Sequence, residues 1–213
     1  MKIALIGATG FVGSAVLQEA LNRGHQVTGL VRNTDKLPEH PALTALASDV
    51  YDTAALANQL AEHDAVVHAF SPGMSTADVR QKFVEGTQSI IDATKKAQLQ
   101  RLFIVGGAGS LYVAPNVQLL DTPDFPAAYR EGAEGARQAL NMIQQEHNLA
   151  WTLISPPALL TPGERTGNFR LGGDHLLMNG EQPASITVAD LAVAIVDELE
   201  RPHHLRQRFT AGY

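Results

Sequence analysis

Lys2-Ile3-Ala4-Leu5-Ile6-Gly7-Ala8-Thr9-Gly10-Phe11-Val12-Gly13 is the stretch that decides the fold of this 213-residue chain. The apolar run Ile3–Ile6 reads as a strand that stops at Gly7, and Gly10 and Gly13 follow at fixed spacing. Val12, Val16, Leu17 and Leu21 then recur on one helical face. A strand, a glycine turn and a helix form the first unit of a dinucleotide-binding fold. In that reading Gly7 makes the turn and Gly10 lets the backbone approach a pyrophosphate. Gly13 lets the helix lie close on the strand. The amides of the Thr9–Gly13 turn, including those of Phe11 and Val12, and the positive end of the helix dipole face the phosphates.

Strand-like runs alternate with helical patterns beyond this unit. Strands are expected at His25–Val31, Leu43–Ala47, Asp64–Phe70, Arg101–Gly106 and Trp151–Ser155. Helices are expected at Thr53–Glu62, Thr76–Ala97, Ala127–His147 and Val188–Glu200, the last with Thr187 as N-cap. A strand at Arg208–Thr210 is expected to close the edge of the sheet. The alternation predicts an α/β fold, a doubly wound parallel sheet of the Rossmann type, in one domain spanning 1–213. Residues 156–182 break the pattern with Pro162-Gly163, Gly172-Gly173 and Asn179-Gly180. Phe169, Leu171 and Leu176–Met178 anchor this segment, which is expected to wall a substrate pocket.

Composition narrows the partners. A formal net charge of −6 with no sustained Lys/Arg run disfavours nucleic acid and anionic membrane. The absence of cysteine removes disulfides, thiolate catalysis and cysteine-ligated zinc, and suits a cytoplasmic location. The eight histidines show no metal-ligand spacing, so no metal is expected. His68, inside a strand, reads as a core residue.

Ligands of such sheets bind beyond the carboxyl ends of the strands. Residues just past those ends are therefore the candidate cofactor contacts: Phe70, Ser71 and Gly73, then Gly106, then Ser155 and Pro156, the last two toward the nicotinamide carboxamide. The second strand ends in Val31-Arg32, where an NAD site places a carboxylate. Arginine pairs with a 2′-phosphate, so NADP(H) is preferred over NAD(H). In the alternative, Arg32 only stacks on adenine and both cofactors bind. Asp49 and Val50 follow the third strand and are placed to contact adenine, with a helix cap as the other role for Asp49.

Gly7–Gly13, Val31-Arg32, Ser71-Pro72-Gly73, Gly106–Ser110 and Ser155-Pro156 together resemble the atypical short-chain dehydrogenase/reductases. The resemblance is to the small NAD(P)H-binding, flavin-reductase-like or biliverdin-reductase-B-like branch, near the NmrA-like proteins. It spans essentially the whole chain, including Pro162–Gly167. The departure is chemical. Short-chain dehydrogenases use a Tyr followed four residues later by Lys, with a Ser after the fifth strand. Here Ser110 holds the serine place, but Tyr129 is followed by Ala133. Hydride transfer to a flavin needs no such pair, only two rings held face to face. The resemblance thus implies an NADPH-dependent reductase of FMN, FAD or a similar planar acceptor, with the flavin as substrate. Ser110 is the candidate catalytic contact, with a strand-ending role as its alternative. Tyr112 and Tyr129 are candidate pocket residues, and Arg165 and Arg170 are candidates for an anionic acceptor or, alternatively, solvated loop residues. A non-catalytic NADP(H) sensor of the NmrA-like type is the alternative function.

Overall fold

The computed structural model describes residues 1–73 and 78–213. The expected helix start at Thr76 lies outside them. In chain order the first half comprises β1 (Lys2–Ile6), α1 (Phe11–Asn22), β2 (Gln26–Val31), β3 (Leu43–Ala47), α2 (Thr53–Leu60), β4 (Ala65–His68), α3 (Val79–Lys96) and β5 (Arg101–Val105). A small ribbon, β6 (Tyr112–Ala114) and β7 (Val117–Gln118), precedes α4 (Arg130–Gln144) and β8 (Ala150–Ser155). The segment expected to be a loop contains β9 (Leu159–Thr161), β10 (Arg170–Gly172), β11 (Met178–Asn179) and β12 (Gln182–Pro183). The chain ends with β13 (Ser185–Thr187), α5 (Val188–Glu200) and β14 (Gln207–Gly212).

Eight strands form the main sheet in the order β10-β14-β8-β5-β4-β1-β2-β3. All pair in parallel except β10, which runs antiparallel to β14. The C-terminal strand therefore does not close the edge, because β10 from the expected loop covers it. That segment also contributes the β11–β12 hairpin and β9, which pairs with β13 beyond it.

Strand alternation divides the core into two layers. Ile3 and Leu5 of β1 pack with Val16 and Leu17 of α1 and Ile195 of α5. Ala4 and Ile6 face the opposite way, onto Leu56 of α2, Ile90 of α3 and Leu140 of α4. Helices thus cover both faces of the sheet, as a buried parallel sheet requires. Among the described residues no helix is long and apolar enough to cross a membrane. The strand order reverses at β1, with β2 on one side and β4 on the other, and this opens a crevice at their carboxyl ends.

Candidate active site

A cavity of about 1120 Å³ fills that crevice. It exceeds the 300–1,000 Å³ usual for a single drug-sized ligand, leaving room for a dinucleotide and a second ring. Its floor is the glycine turn. Gly7 has φ +84°, and a Cβ there would lie 2.5 Å from the Ala69 carbonyl oxygen. A Cβ on Gly13 would lie 2.0 Å from the Gly7 oxygen, so α1 sits against the turn only because that atom is missing. Gly10 differs: its φ is −76°, and its nearest neighbour would be 3.3 Å away. Gly7 and Gly13 are required by the fold; a Cβ on Gly10 would be tight against the Gly7 oxygen but less so, and Gly10 lines the cavity. The first helical bond of α1 runs from Ser14 N–H to Gly10 O at 2.8 Å, leaving the preceding amides as first-turn donors. This cradle fits a pyrophosphate.

One end of the cavity lies past β2 and β3. Arg32, Asp49, Val50, Tyr51 and, from α3, Lys82 line it. No ion pair among the described residues engages Arg32 or Lys82. Asp49 does not cap α2; its carboxylate accepts from Tyr51 N–H at 3.0 Å, and Asp52 caps the helix through Ala55 N–H. The Tyr51 hydroxyl donates to the Lys82 carbonyl, and its ring meets Phe70 edge-on at 6.0 Å. Burial, aided by Glu85 and Asp49, raises the Tyr51 phenol above its ordinary value.

Phe70 is the cavity's middle wall, held from behind. The His68 Nδ1 accepts from Phe70 N–H at 3.2 Å, and its Nε2 bonds Thr87 Oγ1 at 3.0 Å. Burial pushes the His68 imidazole down to about 4, so it is neutral and Nε2 carries the proton. Gly86 of α3 receives the Phe70 ring in a notch, where a Cβ would come within 2.5 Å of the ring.

The other end lies past β5 and β8. Gly106, Ala108, Leu119, Phe125, Tyr129 and Leu159 line it, and Thr122 and Asp124 supply polar side chains. Phe11, Tyr129 and Leu159 are each more than half exposed, so an apolar mouth opens to solvent there. Tyr129 and Ala133 both face the cavity, one helical turn apart. Among the described residues the titratable side chains on the lining are Arg32, Asp49, Tyr51, Lys82, Asp124 and Tyr129, with no histidine and with the lysine on α3.

The structure brings Gly7, Thr9, Gly10, Phe11, Val12, Arg32, Asp49, Val50, Phe70, Ser71, Gly106 and Tyr129 onto one cavity. It keeps several other candidates off it. Gly13 is a packing residue. Gly73 is exposed and turns back to the Ser71 hydroxyl. Ser155 and Pro156 are buried at the end of β8; Ala158 and Leu159 reach the cavity in their place. Ser155 Oγ, facing Thr210 of β14 in register, has no hydrogen-bond partner among the described residues.

Ser110 is buried, and its hydroxyl and carbonyl both accept from Arg208 Nη1, at 3.0 and 2.9 Å. It does not line the cavity, and it stands five residues past the end of β5, held by Arg208. Tyr112 packs against His175 and under the Arg208 guanidinium, away from the acceptor end. Arg165 chelates Glu19 of α1 at 2.7 and 2.8 Å, and these bonds hold the Glu19 carboxyl below its usual value. Arg170 donates to the carbonyls of Met178 and Tyr213. Neither arginine lines the cavity.

The far wall, from Leu119 to Pro126, was missed because it carries no period and no motif. Arg208, 98 residues from Ser110, gives no local signal.

A sequence model described as NAD(P)H-binding matches residues 7–202 of the chain. The chain belongs to this NAD(P)H-binding family. YwnB, an uncharacterized protein of Bacillus subtilis (strain 168), is 40% identical over 99% of this chain and 97% of its own length. A candidate epimerase from Bacteroides thetaiotaomicron superposes with TM-score 0.94 at 40% identity, covering 100% of this chain and 96% of the other. A candidate NADH-flavin reductase from Streptococcus pneumoniae TIGR4 superposes with TM-score 0.87 at 34% identity, covering 100% and 99%. The NAD(P)H-binding protein thus has the oxidoreductase-type fold of the atypical short-chain dehydrogenase/reductases, as its motifs implied.

Proposed function

We propose that this protein is an NADPH-dependent reductase of a planar, conjugated acceptor, with free flavin first. The observation that carries the reading is the contrast between the two ends of one cavity. At the β2 end Arg32 stands where a 2′-hydroxyl site would place a carboxylate, and no ion pair among the described residues engages it. At the β5 and β8 end the walls are apolar, and Tyr129 has Ala133 where a proton-relay lysine would stand.

Gly7, Thr9 and Gly10 would hold the pyrophosphate, and Arg32 the 2′-phosphate. The bound dinucleotide supplies a hydride, two electrons with one proton, and leaves oxidised. The protein's part is to orient and to exclude water. Phe70 fixes the middle of the cavity, and Phe125, Tyr129 and Leu159 offer flat apolar surface to a second ring. A solvent proton completes the reduced acceptor, so the site needs no acid. The candidate NADH-flavin reductase among the structural relatives supports the same chemistry.

Anaerobic oxidation of NADPH with a free flavin as acceptor, and NADH in parallel, tests the reading. Turnover that saturates in flavin, with NADPH preferred, is the expected result. Tight NADPH binding without turnover of any planar acceptor would overturn it in favour of a redox sensor.

A further inference from the structure

The acceptor end of the cavity carries a charge pattern that narrows the substrate class. Its walls are Leu119, Phe125, Tyr129 and Leu159, with Thr122 and Asp124 as the polar side chains. Among the described residues no lysine or arginine lines that end. Three of the neighbouring cations are engaged elsewhere: Arg137 pairs with Asp121 and Glu134, Arg165 with Glu19, and Arg170 with backbone carbonyls. Arg130 lies over the Phe125 ring, 5.7 Å from its centroid, and donates to the Leu120 carbonyl.

Arg32 and Lys82 stand at the other end. β2 and β5 are separated by three strand spacings, roughly 14 Å. That exceeds the Debye length of about 10 Å at 0.1 M salt, so the field of those cations is screened at the acceptor end.

We infer that the acceptor is uncharged: a neutral, planar two-electron acceptor rather than a phosphorylated flavin or a carboxylated tetrapyrrole. The inference rests on the reductase reading and sharpens it. Asp124 repels a phosphate of nearly two negative charges and accepts from a ring imide or hydroxyl N–H or O–H. The apolar mouth at Phe11, Tyr129 and Leu159 takes the uncharged ring.

Riboflavin, FMN and FAD carry the same isoalloxazine ring and differ in anionic charge, which makes them the discriminating probes. At about 0.1 M salt, where the distant cations are screened, kcat/KM for riboflavin should exceed that for FMN by about 10-fold, the order expected for one close repulsive contact at a half-solvated site. The gap should shrink as salt rises toward 1 M. Quenching of flavin fluorescence by the protein saturated with NADP+ should give the same order of affinity without turnover. Asp124→Asn should narrow the gap by raising FMN, and Arg170→Ala should leave FMN affinity unchanged. Equal or tighter binding and use of FMN would overturn the inference and leave the reductase reading standing. NADPH binding with no turnover of the three flavins or of an uncharged quinone would overturn both.

Discussion

Three glycines in one turn carry three separate demands, and substitution separates them. At Gly13 an added methyl meets backbone at 2.0 Å, so Gly13→Ala should destabilise the fold by about 3 kcal/mol in denaturant titration. At Gly10 the backbone is ordinary, so Gly10→Ala should cost only about 1 kcal/mol as a lost cap, yet weaken NADPH binding at least about 10-fold by calorimetry. Arg32 sits at the same scale. Arg32→Ala should lower kcat/KM for NADPH by about 10- to 100-fold and that for NADH by less than about 3-fold. An unchanged NADPH-to-NADH ratio would reduce Arg32 to an adenine-stacking residue. These positions were legible because each signal is local: a glycine spacing, and a charge at a strand end.

At the scale of elements, legibility followed periodicity. β3 and α5 fall where their sequence pattern places them, and Thr187 caps α5 by accepting from Asp190 N–H at 3.1 Å. Segment 156–182 has no period, and what orders it is remote. The fully buried Asp190 accepts from Thr166 N–H, Gly167 N–H and the hydroxyls of Thr166 and Tyr213, at 2.5–2.8 Å. Burial raises its carboxyl, and these donors more than offset that, leaving it below its ordinary value. The first turn of α5 thereby fastens the Arg165–Gly167 turn to the end of β14. Asp190→Asn turns one acceptor into a donor facing donors. It should cost about 2–3 kcal/mol and expose 164–168 to proteolysis. Cleavage unchanged from the parent protein would show that other ties, such as Arg165 to Glu19, are enough to hold the segment. A carboxylate in a first helical turn reads in sequence as a dipole partner, so its four distant donors stayed hidden.

For the whole molecule, acidity acts through His68. Its imidazole is fully buried and titrates near 4, against 6.5 in the unfolded chain. Between those values the unfolded state binds the proton and the folded state does not, so stability falls as pH drops from about 6.5 to about 4. The loss from this group approaches about 3 kcal/mol at the lower limit. His68→Asn keeps an acceptor for Phe70 N–H and removes the titration. Its stability should therefore vary less with pH across that window than the parent's, whatever its absolute level. Parallel slopes would place the acid sensitivity elsewhere. The sequence placed His68 in the core but did not reveal that its ring nitrogen positions a cavity wall.

The notch at Gly86 gives the protein a route for changing its tastes. Phe70 faces the ligand, yet its position is set from a helix residue that never reaches the cavity. Gly86→Ala alone should push the ring forward and impair cofactor binding, and Phe70→Leu added to it should restore much of the loss. The two sites would then be strongly non-additive in a double-mutant cycle. A lineage drifting through this pair would have to change both together, and in doing so could reshape its ligand preference without altering a residue of the glycine turn.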